Sequence, residues 1–319
     1  MNLWKRLRTY HHYKRIERKM LAKQELRAKM SYVEIEAEIS NAYRKAYHCE
    51  LNWDNPQSYN EKINVSKLYM PTQLKTKLAD KYLAREWLKE KVGEEYIVPL
   101  IGVYDSFDEI EFDKLPDKFV IKCNHDCSST TLCEDKNKLD LLTLKYKYDI
   151  FMKRNFAYVA WEMHYRDIVP KIIIEKYLGN PVNDYRFLCP GGKPLYMQVD
   201  IDRFTNHTRN YYDMDWNLQT FLPGTYPLNQ VILERPKELP QMIEIASTLA
   251  RDFDQVRVDL YTVNGHIYVG EMTFTHASGF AHNISGEIGL MFGKHWPFDN
   301  SVRKKVLEKY TSPAHDFTV

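Results

Sequence analysis

Gln255 to Gly279, QVRVDLYTVNGHIYVGEMTFTHASG, admits few conformations other than a β-hairpin. Val256, Val258 and Leu260 alternate with Arg257, Asp259 and Tyr261, which gives one apolar and one polar face. Asn264-Gly265 suits a type I′ turn, whose two central residues both need φ > 0. The return strand is expected from His266 to about Phe274. A period of two puts Val269, Glu271 and Thr273 on one face of that strand. Asp259 and Glu271 then approach each other across the turn, with Arg257 beside them. Bare carboxylates so placed repel. A divalent cation resolves the repulsion, and Mg²⁺ takes carboxylates together with phosphate oxygens. The plainer reading is a solvated hairpin face with surface charges, and the hairpin alone does not choose between the two.

The 319 residues suffice for two or three modest lobes, and 28% charged with 13% aromatic residues marks a globular chain. No apolar run approaches the ~20 residues of a membrane span, and the N-terminal stretch lacks the apolar core of a signal peptide. Five cysteines, an odd count, read most simply as reduced thiols, hence a cytoplasmic location. The net charge of +2 is uneven: residues 1–30 hold ten Lys/Arg against Glu17 and Glu25, so the remainder is acidic. An acidic body argues against a nucleic-acid partner. Within the basic arm, Leu3, Trp4, Leu7, Tyr10, Ile16, Met20 and Leu21 recur at roughly helical spacing. Such a helix either docks on its own protein or makes peripheral contact with an anionic membrane, here the inner face.

Ser31 with Glu34 and Ser58 with Glu61 are capping-box patterns, opening helices to about Tyr47 and Tyr69. Residues 1–75 therefore read as a helical N-terminal extension. Asp80 is expected to cap a helix from Lys81 to Val92, with Gly93 after its end. Strands are expected in VPLIGVY, KFVIKC (118–123), KIIIEKY (171–177), 184–189 and 194–202. Residues 137–154 read as helix, and Pro236 fits the first position of a helix to about Asp252. The mixture predicts an α+β protein, with one lobe over 76–180 and a second, bearing the hairpin, over 181–319.

The order of segments SYNEKI, GVYDSFDEI, LPDKFVIKCNH, DYRFLC, VRVDLY and GEMTFT resembles the TupA-like branch, of the teichuronopeptide-biosynthesis type, of the ATP-grasp superfamily. The resemblance covers roughly residues 55–290 and rests on the shared order rather than on any one motif. It implies two α+β lobes clamping ATP and an ATP- and Mg²⁺-dependent carboxylate–amine ligase of bacterial surface or capsular polysaccharide biosynthesis. The implied partners are a small amine or amino acid and a uronic-acid-containing saccharide or its lipid-linked precursor. Carried over by position, Lys81 and Lys122 meet the phosphates, Glu175 and the backbone of Lys176, Tyr177 and Leu178 meet the adenine, and Asp184 meets the ribose. Asp259 and Glu271 hold Mg²⁺, with Thr273 where most such enzymes have asparagine, a poorer ligand in the threonine. Arg257, with Lys122, neutralises charge in the transition state. The phosphate loop, His125 to Ser129, lacks the glycines usual there.

Other readings use other residues. Asp200-x-Asp202 and Asp213-x-Asp215 match the pattern by which sugar-nucleotide glycosyltransferases hold Mn²⁺, with Tyr211, Tyr212 and Trp216 nearby for sugar stacking. In the ligase reading the same segment brings Arg203, His207 and Arg209 toward an anionic acceptor, and His276 and Ser278 orient that acceptor. Cys123, His125, Cys127 and Cys133 suggest zinc, against a buried strand position for Cys123. A catalytically inactive nucleotide-binding protein is the third alternative.

Overall fold

The computed structural model describes residues 3–179, 183–201, 206–220, 226–229 and 233–311. Two compact units interleave along the chain. The first is Met1–Lys29, Gln73–Ala160 and His164–Pro181; the second is Met30–Thr72, Trp161–Met163 and Val182–Val319. In chain order the helices are α1 (Leu3–Ala28), α2 (Tyr32–Tyr47), α3 (Tyr59–Tyr69), α4 (Gln73–Ala79), α5 (Ala84–Val92), α6 (Leu141–Lys153), α7 (Ala157–Ala160), α8 (Leu239–Ala250), α9 (Gly286–Lys294) and α10 (Ser301–Thr311). The strands are β1 (Leu100–Tyr104), β2 (Phe119–Cys123), β3 (Thr131–Cys133), β4 (Ile172–Lys176), β5 (Asp184–Pro190), β6 (Tyr196–Ile201), β7 (Thr208–Tyr212), β8 (Gln255–Val263) and β9 (His266–Thr273).

In the first unit the antiparallel sheet runs β1-β4-β2-β3. Phe119, Ile121 and Cys123 alternate inward and join Leu144 and Tyr148 of α6 in one core. The Tyr148 hydroxyl donates to the carbonyls of Ile121 at 2.7 Å and Ser129 at 2.8 Å, which ties the loop after β2 to its strand. Asp140 caps α6 by accepting from the Thr143 amide, so the helix begins four residues later than its pattern suggested. Asp80 accepts from the amides of Tyr82 and Leu83. Those bonds make a tight turn, and α5 proper starts only at Ala84.

In the second unit the antiparallel sheet runs β7-β6-β5-β8-β9. Asn264 (φ 52°) and Gly265 (φ 78°) make the expected turn. The alternation on β9 does not hold throughout. Asp259 pairs with Glu271 but Leu260 pairs with Val269, so Gly270 bulges out of register. Val269 therefore shares the apolar face of Leu260, not the face of Glu271 and Thr273, which corrects the sequence expectation. A Cβ at Gly270 would come within 3.0 Å of the Tyr261 ring and 3.2 Å of the Asp259 carbonyl oxygen. One sheet face presents the fully buried Phe187, Val256, Val258 and Leu260, and α8 lies against β5 and β8. That helix starts at Leu239 with Pro240 in its first turn, not at Pro236. On the other face, Leu188 and Tyr211 pack with Tyr59 and Ile63 of α3 and Phe292 of α9.

Both capping boxes form. Helix α3 is buried on nearly every side. Its polar residues reach backbone carbonyls of the segment after the hairpin: Asn60 to Ala281 and Ile284, Lys62 to Gly293 and Trp296, Asn64 to Gly279, and Lys67 to Ser278. The apolar pattern of SYNEKI is weak because the helix is held by these bonds as much as by packing.

Candidate functional site

Strand register assembles the site of the second unit. Tyr211 on β7 pairs with Gln198 on β6, Gln198 with Arg186 on β5, Arg186 with Asp259 on β8, and Asp259 with Glu271 on β9. Directly paired residues share a sheet face, so one polar row crosses all five strands. Asp184 and Asp200 pair with each other one step along, and Arg209 pairs with Asp200. The sequence singled out both ends of this row but not Arg186 or Gln198. Within the row, Gln198 Oε1 is buried and finds no donor among the described residues.

Arg257 is the hub. Its Nε and Nη2 donate to the two Asp259 oxygens at 2.6 Å each. Nη2 also donates to Glu271 Oε1 at 3.1 Å and Thr273 Oγ1 at 3.0 Å, and Nη1 to His276 Nδ1 at 3.0 Å. Arg257 is 7% and Asp259 8% exposed, so the hairpin face is not a solvated one. Burial pushes the Asp259 carboxyl above its ordinary range, against the pull of Arg257 and Arg186. Burial, reinforced by Arg257, Arg186 and Arg209, drives His276 well below its ordinary value and keeps it neutral. Because Nδ1 accepts from Arg257, the imidazole hydrogen sits on Nε2. Asp200, fully buried, is gripped by Arg186 Nη2 (3.1 Å), Arg209 Nε (2.5 Å) and His207 Nε2 (3.0 Å). Burial alone would raise its carboxyl, but the charges of Arg186 and Arg209 and the hydrogen bonds from Arg209 and His207 outweigh it and bring the pKa down to about 2.

The segment after β9 is unusual. Ala277 (φ 48°) and Ser278 (φ 53°) occupy the left-handed region without being glycine. Glu162, buried in the same unit, accepts from the hydroxyls of Thr275 and Ser278, on either side of His276. Lys67 donates to the Ser278 carbonyl at 2.8 Å, and burial brings its pKa down to about 7. Sequence reasoning missed Glu162 and Lys67, since nothing local distinguishes them.

All the nucleotide candidates but Asp184 lie in the first unit. Lys122 Nζ lies 2.6 Å from Glu175 Oε2, and Arg85 Nη1 lies 3.4 Å from Oε1, so Glu175 orients Lys122. Lys81 donates to the Asp126 carbonyl at 2.5 Å. In the glycine-free loop, Asp126 Oδ1 accepts from the amides of Ser128 and Ser129 and the Ser129 hydroxyl. Those two amides are thus spent within the loop. The Lys176 amide donates to the Pro99 carbonyl and the Tyr177 hydroxyl to Glu134; Leu178 is half-buried beyond them. Asp184, in the second unit, accepts from Arg186 at 3.2 Å.

Asp259, Glu271 and Thr273 bring hard oxygens, the donor type Mg²⁺ takes, onto neighbouring strands, and both Asp259 oxygens and Glu271 Oε1 accept from Arg257. Among the described residues no group of three or more His, Cys, Asp or Glu is placed to hold a metal ion. Cys123 and Cys133 are buried and Cys127 exposed, and His125 is bound to Asn124 and the carbonyls of Phe151 and Arg154. Asp213 Oδ1 accepts from the amides of Asp215 and Asn217 and so builds a turn. Asp202 and Arg203 lie outside the described residues.

A family model described as TupA-like ATP-grasp matches residues 61–296. The structure is similar to D-alanine–D-alanine ligase from Bacillus anthracis, at 19% identity and a TM-score of 0.40, over 73% of this chain and 70% of that one. It is also similar to L-amino acid ligase from Bacillus licheniformis, at 14% identity and a TM-score of 0.41, over 80% of this chain and 59% of that one. No curated protein matches the chain.

Proposed function

The chain belongs to the TupA-like ATP-grasp family and has the ATP-grasp fold, and from that premise we propose that it is an ATP- and Mg²⁺-dependent carboxylate–amine ligase. The observation that carries the reading is the registered pair Asp259 and Glu271 around the buried Arg257. A carboxylate resists attack by an amine at neutral pH. Phosphoryl transfer from ATP to a carboxylate oxygen releases ADP and leaves an acyl phosphate. The amine then attacks the acyl carbon, and phosphate departs with that oxygen.

Phosphoryl transfer depends mostly on positioning and charge neutralisation. Lys81 and Lys122 are assigned to the phosphates, Glu175 and the backbone of Lys176 to Leu178 to the adenine, and Asp184 to the ribose. Mg²⁺ bound by Asp259 and Glu271, with Thr273 as a weaker donor, supplies further neutralisation. Arg257, held charged by its carboxylates, offsets charge developing on the transferred group. Arg203, His207, Arg209, His276 and Ser278 are assigned to the acceptor. As a neutral imidazole with its hydrogen on Nε2, His276 acts as a donor to it. The substrates follow the family resemblance: a uronic-acid or amino-acid carboxylate, on a bacterial surface polysaccharide or its lipid-linked precursor, and a small amine.

The test is isotopic. The protein is incubated with ATP, Mg²⁺ and a panel of uronic acids and amino acids labelled with ¹⁸O in the carboxylate. One label is expected in released phosphate, with ADP as the other product and amide formation strictly dependent on the amine. Unlabelled phosphate beside ADP would leave only a kinase or ATPase. Stabilisation by a sugar nucleotide with Mn²⁺, and none by ATP with Mg²⁺, would favour the glycosyltransferase; nucleotide binding without product would mean an inactive member. We also assign residues 1–30 a peripheral contact with the inner membrane face, made by the basic residues that α1 leaves exposed while it docks on α6 and α7, since each basic residue near an anionic leaflet contributes about 1 kcal/mol. No helix among the described residues is long and apolar enough to cross a membrane. Deleting the arm is expected to abolish salt-sensitive co-sedimentation with anionic vesicles; unchanged sedimentation refutes the assignment.

A further inference from the structure

Helix α1 meets α6 and α7 through polar anchors at the two ends of a seam. At one end Glu17, 8% exposed, accepts from Lys14 at 2.7 Å and Lys153 at 2.5 Å. At the other, Gln24 Oε1 accepts from the Asn155 amide at 2.7 Å, and Arg27 donates to the carbonyls of Tyr158 and Val159 at 2.6 and 2.8 Å. Hydrophobic burial would favour a closed seam between the anchors. Instead Ile16 and Met20 of α1 face Ile150 and Phe151 of α6 across a groove of about 510 Å³. Ile16 and Val159 remain 38% and 39% exposed.

The charge at the groove is of one sign. Lys19 and Lys23 of α1, Lys147 of α6 and Arg154 just past its end line it, and no carboxylate among the described residues does. The Arg154 guanidinium stacks on the rings of Phe151 (5.6 Å) and Phe156 (5.4 Å), which presents a cation at the edge of the apolar floor. Lys147 is held by Thr131 Oγ1 at 2.7 Å, while Lys19, Lys23 and Arg154 repel one another around the apolar floor unless an anion joins them. A free phosphate has no use for the floor. A neutral amphiphile has none for the rim. The volume lies within the range of small-molecule sites, about 300–1,000 Å³.

We propose that this groove binds a single hydrocarbon chain ending in a phosphate, with the chain along Ile16, Met20, Ile150 and Phe151 and the phosphate among Lys19, Lys23, Lys147 and Arg154. Burial of each methylene contributes about 0.8 kcal/mol, so the tail supplies affinity and the head supplies selection. The site lies wholly within the first unit and does not rest on the ligase reading.

The test is calorimetric titration of the full chain with dodecyl phosphate below its micelle concentration. Dodecyl maltoside and inorganic phosphate serve as the two half-ligand controls. Dodecyl phosphate is expected to bind one to one and at least tenfold more tightly than either control. Lys19→Glu with Lys23→Glu, both at exposed positions, should weaken it at least tenfold while leaving thermal melting unchanged. Met20→Trp, which fills the groove, should weaken dodecyl phosphate and dodecyl maltoside alike. Equal affinity for maltoside and phosphate in the unaltered chain overturns the proposal, because the groove is then only a greasy cleft. So does binding unchanged in both variants. Stabilisation by ATP with Mg²⁺, measured on the same samples, reports separately on the ligase reading.

Discussion

Replacing Arg257 with methionine is expected to cost about 3–5 kcal/mol of stability, the loss typical when one partner of a buried ion pair is removed. Methionine fills much of the arginine's volume, so little of that loss is a cavity. The cause is Asp259, which is 8% exposed and loses both 2.6 Å bonds at once. Arg186 Nε, 3.6 Å away, is a poor substitute. Two further outcomes distinguish this cause from general misfolding. Adding Asp259→Leu should return most of the stability, since an apolar pair replaces the ionic one. The deficit should also depend on pH in a defined direction. Burial already raises the folded pKa of Asp259, and loss of Arg257 raises it further. A carboxyl with a raised folded pKa holds its proton more tightly folded than unfolded. Its penalty is absent below the ordinary aspartate range and grows as pH rises through the folded value. The single variant should therefore be closer to the unaltered protein at pH 4 than at pH 7.5. Urea unfolding, read by hydrogen exchange at the β8 and β9 amides, measures all three. A single variant within 1 kcal/mol of the unaltered protein would show that Arg257 is not the hub.

The hairpin was legible because its determinants are local. Asn264 and Gly265 tolerate positive φ, and period-two alternation needs only neighbouring residues. The bulge at Gly270 was not legible, since the contact that demands a glycine comes from Tyr261 across the ladder. Arg186 and Gln198 escaped notice for a related reason. DYRFLC puts Arg186 on a polar face, but only the pairing of β5 with both β6 and β8 shows what lies on either side of it. Asp200 was singled out for a metal pattern. Its burial against Arg186, Arg209 and His207 ties it into the charges of the row, which the spacing of the pattern does not show.

Helix α3 shows the same limit from the other direction. Its capping box fixed its start from sequence alone. What the capping box does not show is that Asn60, Lys62, Asn64 and Lys67 are all buried and donate to distant carbonyls. Those bonds help hold Ala277 and Ser278 in the left-handed region, where neither residue would settle by itself. The placement of His276 beside Arg257 thus depends on residues some 200 positions earlier in the chain.

Glu271→Gln is expected to reduce turnover on the order of 10²-fold or more while changing stability by less than about 1 kcal/mol. The two effects separate because Glu271 stands at the open edge of the row. Its side chain is 30% accessible, against 12% for Asp259, and it receives one 3.1 Å bond from Arg257 and one 3.2 Å bond from Thr273. An amide of the same shape keeps both acceptor contacts, and Arg257 retains its two bonds to Asp259. What the amide lacks is charge, and a Mg²⁺ ion bound there depends on that charge for compensation. Asp259→Asn should lower turnover similarly but also destabilise the fold, because it uncouples Arg257. A binding measurement stands beside the kinetic one. ATP with Mg²⁺ should raise the melting temperature of the unaltered protein, and the Mg²⁺ concentration needed for that rise should increase at least tenfold in Glu271→Gln. Near-normal ADP release at saturating Mg²⁺, together with an unshifted Mg²⁺ requirement in melting, would remove Glu271 from the metal site and leave it a surface partner of Arg257.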